Sequence, residues 1–438
     1  MSAPSSIDIR QGTRIPSRKT EYLVEKELGE GGFGSVYKVR DHHTDYALKV
    51  TKMWTFMPNE RLEYAKRFRQ EYEYGSSLNS RFIVRCLDYD TYEGNPFMVL
   101  ELCDGGSLTD LIGKPMDPPT LRQLAAGILQ GLYDLHAEGI IHRDIKPDNI
   151  LFDRHKTPKL ADFGISASVK KRHTVANFMG HAKEVFATGT YSPPEQMDPK
   201  QAMKVMGPTN DVYAFGAVMY ELITRGGLPF GSFESFMNDM AGYELRKRNE
   251  AWNRELLEQM SPDATWVKVI SNCLRYKAED RYQNITEVMD ALSIKLNSHE
   301  AMVPVTAAST WYLEVKNGEE IGRKYNLTAL SRSLNKRFLT VGWFNEEDPF
   351  SNDIGIAELF TQYISRFHCT LEYDANTFRW TIRDGQYRDK GGVKGWYPST
   401  NGLLVQGRRV NEYGAELQPG DIITIGDTTL KVEIQNQD

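Results

Sequence analysis

A change of texture near residue 300 constrains the fold of this chain more than any other feature. Before Leu296, two-residue alternation of apolar side chains gives way to helical spacing. Beyond Trp311 the apolar residues fall only in short runs: FLTVGW, FHCTLEY, RWTIRD, GLLVQG, DIITIG and TLKVEI, separated by Gly, Asn and Asp. Short alternating runs punctuated by turn residues predict an all-β sandwich. The stretch between them, 298–310, lacks periodicity and reads as a linker. A chain of 438 residues is long enough for both parts to bury their own cores.

Residues 1–20 are polar, carry Arg10, Arg14, Arg18 and Lys19, and read as a flexible, solvated tail. From Tyr22 to Val50, two β-type runs flank a glycine cluster. Asn59 is a candidate helix cap ahead of Leu62, Phe68, Tyr72 and Leu78, and FMVLEL (97–102) reads as a strand. After Pro118-Pro119, Thr120 opens a predicted second helix with Leu121, Leu124, Ile128, Leu132 and Leu135 at helical spacing. The run 209–224 is apolar nearly all round, as a buried central helix must be.

The net charge of −6 argues against nucleic-acid or anionic-membrane partners, which favour basic surfaces. No apolar run reaches the ~18–20 residues a spanning helix needs, and the first residues carry no secretory pattern. A cytoplasmic protein is the expectation. The four cysteines (Cys86, Cys103, Cys273 and Cys369) have no metal-ligand spacing and are expected to be reduced.

Chemistry concentrates in the first part. His142 to Asn149 reads His-Arg-Asp-Ile-Lys-Pro-Asp-Asn, and Asp162-Phe163-Gly164 follows. Together they offer a catalytic carboxylate, a cation for phosphate and two metal ligands, which is a phosphoryl-transfer set. Gly29-x-Gly31-x-x-Gly34 lies between the first two strands, where glycine lets backbone N–H groups approach phosphates. Ala47-Leu48-Lys49 supplies a strand lysine, and Glu71, with Glu73 as the alternative, is its helix partner.

These parts, in this order, resemble the eukaryotic-type (Hanks-type) serine/threonine protein kinase family in its bacterial style, over about Glu21 to Leu296. The resemblance implies an α+β bilobal fold (lobes 21–101 and 104–297 of a domain spanning 21–297), ATP and Mg²⁺ as cofactors, and protein substrates. It makes Asp144 the base for the substrate hydroxyl, Lys146 the lysine that steadies the transferring phosphate, and Asn149 and Asp162 the Mg²⁺ ligands. Around the nucleotide it places Leu28, the three glycines, Val36, Ala47 and Lys49 from the first lobe. Glu101 to Cys103 form the hinge, Leu100 guards the back of the adenine pocket, and Leu151 lies beneath it. His142, Glu195 with Arg281, and Asp211 are implied supports. Arg143 often pairs with an activation-loop phosphate in the family. Thr174 and Thr190 are the candidate phosphosites, Thr188 belongs to the substrate floor, and 170–172 is a basic run. Gly75 departs from the family, which has a bulky residue there, so either Leu78 or a neighbour fills the space or the helix needs a partner to hold its active position. The competing reading is an ATP-binding pseudokinase scaffold with a peptide-docking β domain.

In the second part, Val341-Gly342, Ser365-Arg366-Phe367-His368, Thr400-Asn401-Gly402 and Val405-Gln406-Gly407 resemble a forkhead-associated (FHA) domain, within a domain spanning 311–438. Such domains are eleven-stranded sandwiches whose loops bind phosphothreonine peptides. Ser365, Thr400 and Arg366 would then hold phosphate, Asn401 the peptide backbone, and His368 would brace the loops. Trp343 replaces the usual phosphate-binding arginine, with Arg366, Arg337 and Lys336 as candidates to compensate.

Overall fold

The computed structural model describes residues 5–31, 34–42, 44–163, 189–197, 207–296, 305–306, 308–344, 347–348, 351–358 and 363–436. Thr174, Thr188 and the basic run 170–172 lie outside them.

The first sheet is antiparallel, with the order β1-β2-β3-β4-β6-β5. Its strands are β1 (Arg14–Pro16), β2 (Glu21–Gly31), β3 (Gly34–Arg40), β4 (Asp45–Thr51), β5 (Cys86–Tyr92) and β6 (Asn95–Glu101). Alternation along these strands buries Val24, Val39, Leu48, Val50, Phe97 and Val99 together. Residues 5–20 are not a solvated tail. β1 pairs with β2, Ile15 opposite Tyr22, and Ile9 and Ile15 are buried. An otherwise open row of backbone groups on β2 is satisfied in this way.

Helix α1 (Pro58–Ser77) begins one residue before Asn59, its first turn closed by Glu60, whose carboxylate accepts the Met57 N–H at 3.1 Å. In α2 (Pro118–Ala137), both prolines occupy the first turn, where their missing N–H groups cost nothing. Asp117 is the cap, accepting from the Thr120 N–H at 2.9 Å. The predicted central helix is α3 (Pro208–Ile223), buried along its length. It lies against α4 (Ala264–Cys273), and a Cβ at Gly216 would stand 2.4 Å from the Cys273 Cβ. The buried Arg281 guanidinium grips the Glu195 carboxylate through two bonds of 2.7 and 2.9 Å.

The second part is a sandwich of β9 (Ser309–Asn317), β10 (Lys324–Asn326), β11 (Phe338–Trp343), β12 (Ile354–Ile356), β13 (Cys369–Asp374), β14 (Arg379–Asp384), β17 (Leu403–Val405), β18 (Arg408–Val410), β19 (Ala415–Glu416), β20 (Ile422–Ile425) and β21 (Thr428–Asn436). Strands β15 (Gln386–Lys390) and β16 (Val393–Tyr397) form a separate hairpin. The six-stranded sheet runs β10-β9-β21-β20-β17-β18 and the five-stranded one β12-β11-β13-β14-β19, the eleven strands the resemblance implies. Trp311, Trp380, Leu339, Leu371, Ile423 and Val432 fill the space between them. All four cysteines are free. Among the described residues no helix is long and apolar enough to cross a membrane.

Replacing Arg281 by alanine leaves Glu195 buried without its counter-charge, which costs about 3–5 kcal/mol. A urea titration of R281A should show the unfolding midpoint of the first domain falling while that of the sandwich stays in place.

Candidate active site

Strand register lines up the first part of the site. Gly29 on β2 lies opposite Val36 on β3, Val36 opposite Lys49 on β4, and Ala47 opposite Leu100 on β6. Gly34 is required by the fold itself, since a Cβ there would stand 2.4 Å from the Val50 carbonyl oxygen. At Gly29 a Cβ would meet no described atom within 4 Å, so internal packing does not explain that glycine. Leu28, the β2 residue before Gly29, is exposed. At the hinge the Glu101 carboxylate turns away, accepting from Lys159 Nζ at 2.8 Å and the Arg85 N–H at 2.9 Å. Cys103 beyond it is half-buried, and burial pushes its thiol up to about 12.

The Lys49 ammonium donates to Glu71 Oε1 at 3.1 Å and to Asp162 Oδ1 at 2.5 Å. Glu71 is therefore the helix partner, and Glu73 instead pairs with Arg69 at 2.9 Å. Burial works to discharge Lys49. The Asp162 and Glu71 carboxylates outweigh it and hold the pKa above that of an ordinary lysine. Asp162 itself has φ +57°, a left-handed conformation that costs a non-glycine residue energy and that its surroundings must enforce.

The second cluster forms on the loop after α2. Asn149 Nδ2 donates to the Asp144 carbonyl at 2.8 Å and to Asp144 Oδ2 at 3.1 Å, and Lys146 Nζ lies 3.4 Å from the same carboxylate oxygen. The other oxygen, Asp144 Oδ1, is buried with no hydrogen-bond partner among the described residues. Asp211, the fourth residue of α3, accepts the backbone N–H groups of His142 and Arg143 at 2.7 and 2.8 Å, and the His136 ring at 2.7 Å. One buried carboxylate thus sets the path of the loop. His142 is fully buried, edge-on to the Phe163 ring. Leu151 lies on β7 (Ile150–Phe152), paired with β8 (Pro158–Leu160). The Ala161 N–H donates to the Asn149 carbonyl at 2.9 Å, tying the two clusters together beside Asp162.

Gly75 has its explanation here. A Cβ at this position would lie 2.3 Å from Cys86 Sγ and 3.1 Å from the Phe163 ring, so these two side chains fill the space. Thr190 is 2% exposed, which corrects its reading as an accessible phosphosite. No sequence pattern marks the residue that pins its segment. Lys247, 1% exposed, donates to the carbonyls of Gly189 and Ser192 at 3.1 and 2.7 Å between the rings of Tyr213 and Tyr243. In the sequence it sits in ELRKRN, which looks like a solvated charge run.

The sandwich loops bring Ser365 and Thr400 together, the Thr400 N–H donating to Ser365 Oγ at 2.9 Å. His368 is buried beneath them. Its Nδ1 accepts the Ser365 N–H and its Nε2–H donates to the Gly402 carbonyl, both at 3.0 Å. Burial lowers its pKa, in keeping with the neutral ring those two bonds require. Asn401 Nδ2 donates to the Tyr363 carbonyl at 2.7 Å, and Arg366 pairs with Asp348 at 2.6 Å. Trp343 packs against the sandwich core, and Lys336 is engaged with Asp353 at 2.6 Å. A further cation, Arg388, lies over the Phe367 ring at 4.7 Å.

A strand lysine tied to a helix carboxylate and to Asp162, above a loop holding Asp144 and Asn149, defines a protein kinase. The protein kinase domain family matches residues 22–292, and the chain belongs to that family; the FHA domain family matches residues 350–426. The chain is similar to the serine/threonine-protein kinase PknL of Mycobacterium tuberculosis, 32% identical over 228 residues, which are 51% of this chain and 54% of that protein. It is also similar to Pkn1 of Myxococcus xanthus, 29% identical over 305 residues, 68% of this chain and 41% of the relative. The serine/threonine-protein kinase PknB of Mycobacterium leprae is 33% identical over 228 residues, 50% of this chain and 34% of its own length. The chain spans about half the length, or less, of these relatives.

If Cys86 and Phe163 need the room Gly75 leaves, G75A should displace the end of α1 and overpack the site by about 1–3 kcal/mol. The KM for ATP should rise in G75A, and adding C86A should bring it part of the way back. Nucleotide titration of the two variants measures this.

Proposed function

We propose that this chain is a serine/threonine protein kinase that transfers the γ-phosphoryl group of ATP to protein hydroxyls. The observation that carries the reading is the bonded network running from Glu71 through Lys49 to Asp162, beside the Asn149–Asp144–Lys146 cluster. In this reading Lys49, held by Glu71, meets the α- and β-phosphates, while Gly29, Gly31 and Gly34 bring backbone N–H groups to the nucleotide. Asp144 Oδ1, buried and without a partner among the described residues, is placed to accept the substrate hydroxyl proton. Lys146 sits beside that carboxylate, where it neutralises charge on the transferring group. The amide oxygen of Asn149 and the carboxylate of Asp162 are hard oxygen ligands that suit Mg²⁺. When bound, the ion neutralises phosphate charge. A pseudokinase would lack one of Lys49, Asp144, Asn149 or Asp162, and all four are here.

The substrates are proteins bearing Ser or Thr. Removing the base contribution in D144N should lower the rate on the order of 10²- to 10⁴-fold. K49M should abolish autophosphorylation, as should chelation of divalent ions. Incorporation of labelled phosphate by either variant at the wild-type rate refutes the assignment.

We further propose that the FHA domain reads phosphothreonine peptides. The Ser365–Thr400 contact beside Arg366 supports this, because a guanidinium pairs bidentately with phosphate. Arg366 must then exchange Asp348 for the ligand. Fluorescence anisotropy with a phosphothreonine peptide library should detect binding by the wild type and none by S365A/R366A. Equal affinity of the two proteins would exclude these residues from recognition.

A further inference from the structure

The two domains meet through side chains that a solvated sandwich would leave in water. On the outer face of β21, Thr429 and Lys431 are 3% and 8% exposed, and neighbouring Ile422 is buried outside the sandwich core. What covers them is the kinase domain, at two places that bear on catalysis.

The first is α1, the helix that carries Glu71. The turn after β9 lies along it. Gln70 Nε2 donates to the Gly318 carbonyl at 3.1 Å, and the Tyr74 hydroxyl donates to the Lys316 carbonyl. Ile321 from the same turn packs on the kinase core, to which Tyr74 and Phe163 belong. The last turns of α1 are thus fixed from two sides, with Cys86 and Phe163 against Gly75 and the sandwich turn against Gln70 and Tyr74.

The second place is the turn between α2 and the catalytic loop. Thr429 Oγ1 donates to the Gly139 carbonyl at 3.0 Å, and a Cβ on Gly139 would stand 2.8 Å from that oxygen. Lys316 and Lys431 both reach Glu138, each at 2.9 Å. Burial raises the pKa of this carboxyl, and the hydrogen bonds from Lys431 and Lys316 more than offset it, so that it lies below the usual range. Arg143, next to Asp144, has a buried Nε without a hydrogen-bond partner among the described residues; burial lowers its pKa, and Asp427 in the β20–β21 turn pulls the other way.

We propose that the sandwich is a positioning partner of the kinase: by holding α1 and the stem of the catalytic loop at once, it keeps Glu71 on Lys49 and Asp144 in place. Ser365, Arg366 and Thr400 make none of these bonds to α1 or Glu138, whereas Asn401 and Gly402 of the same loops line a separate cleft against Thr209 and Gln283 of the kinase domain. The inference rests on the kinase reading above, and its test separates the two.

In the full chain, K316E/K431E replaces both attractions to Glu138 by repulsions without touching a group at the active site. The expected result is faster amide hydrogen exchange along 66–77, a raised KM for ATP, and kcat/KM on a peptide lowered about tenfold, within the usual reach of coupling between sites. Adding E138K to the same chain reverses the sign of the third charge and should restore all three readouts. Unchanged kinetics in K316E/K431E overturns the proposal, and so does a loss that E138K does not repair. Absence of transferase activity in the wild type would instead count against the kinase reading, and the exchange pattern of α1 would still decide whether the brace exists.

Discussion

Lys49 is a part-buried cation with two anions, and the rest of the kinase domain is arranged so that all three stay in place. Burial lowers its pKa, and Asp162 and Glu71 more than offset that. Each anion comes from a different element, one from α1 and one from the chain after β8, so the ammonium joins the sheet to both. That geometry explains why small features elsewhere matter. Gly75 admits Phe163 beneath α1, and Asp162 meets Lys49 from a left-handed backbone.

A second buried charge does comparable work for the catalytic loop. Asp211 accepts two consecutive backbone N–H groups and a histidine, satisfying groups that would otherwise be orphaned inside the domain. Such hubs are costly to bury and tolerate little change around them. They fix a unique loop path where apolar packing alone would permit several.

Much of this was legible in the amino-acid sequence, because phosphoryl transfer needs particular groups in a particular order. Asp144, Asn149, Asp162 and Lys49 stand out through their motifs and the family resemblance these carry, and the sandwich strands through their alternation. What escaped had no periodic signature. Three residues of β1 are too few for a pattern, and only Ile7, Ile9 and Ile15 among polar neighbours mark the segment as packed. Lys247 looks like an ordinary surface lysine until the carbonyls of Gly189 and Ser192 are seen to surround it. Thr190 fits an exposed loop by composition, and tertiary packing decides otherwise. Glu138, Lys316 and Lys431 are polar and far apart in the chain, so nothing local announces that they meet.

The pairing of β1 with β2 bears on how the protein behaves in solution. A chain trimmed to start at Glu21 would keep every group of the catalytic cleft but uncover the Glu21–Val24 margin of the first sheet. Such margins recruit strands from other molecules. Self-association, rather than a weaker enzyme, would be the first symptom of that truncation.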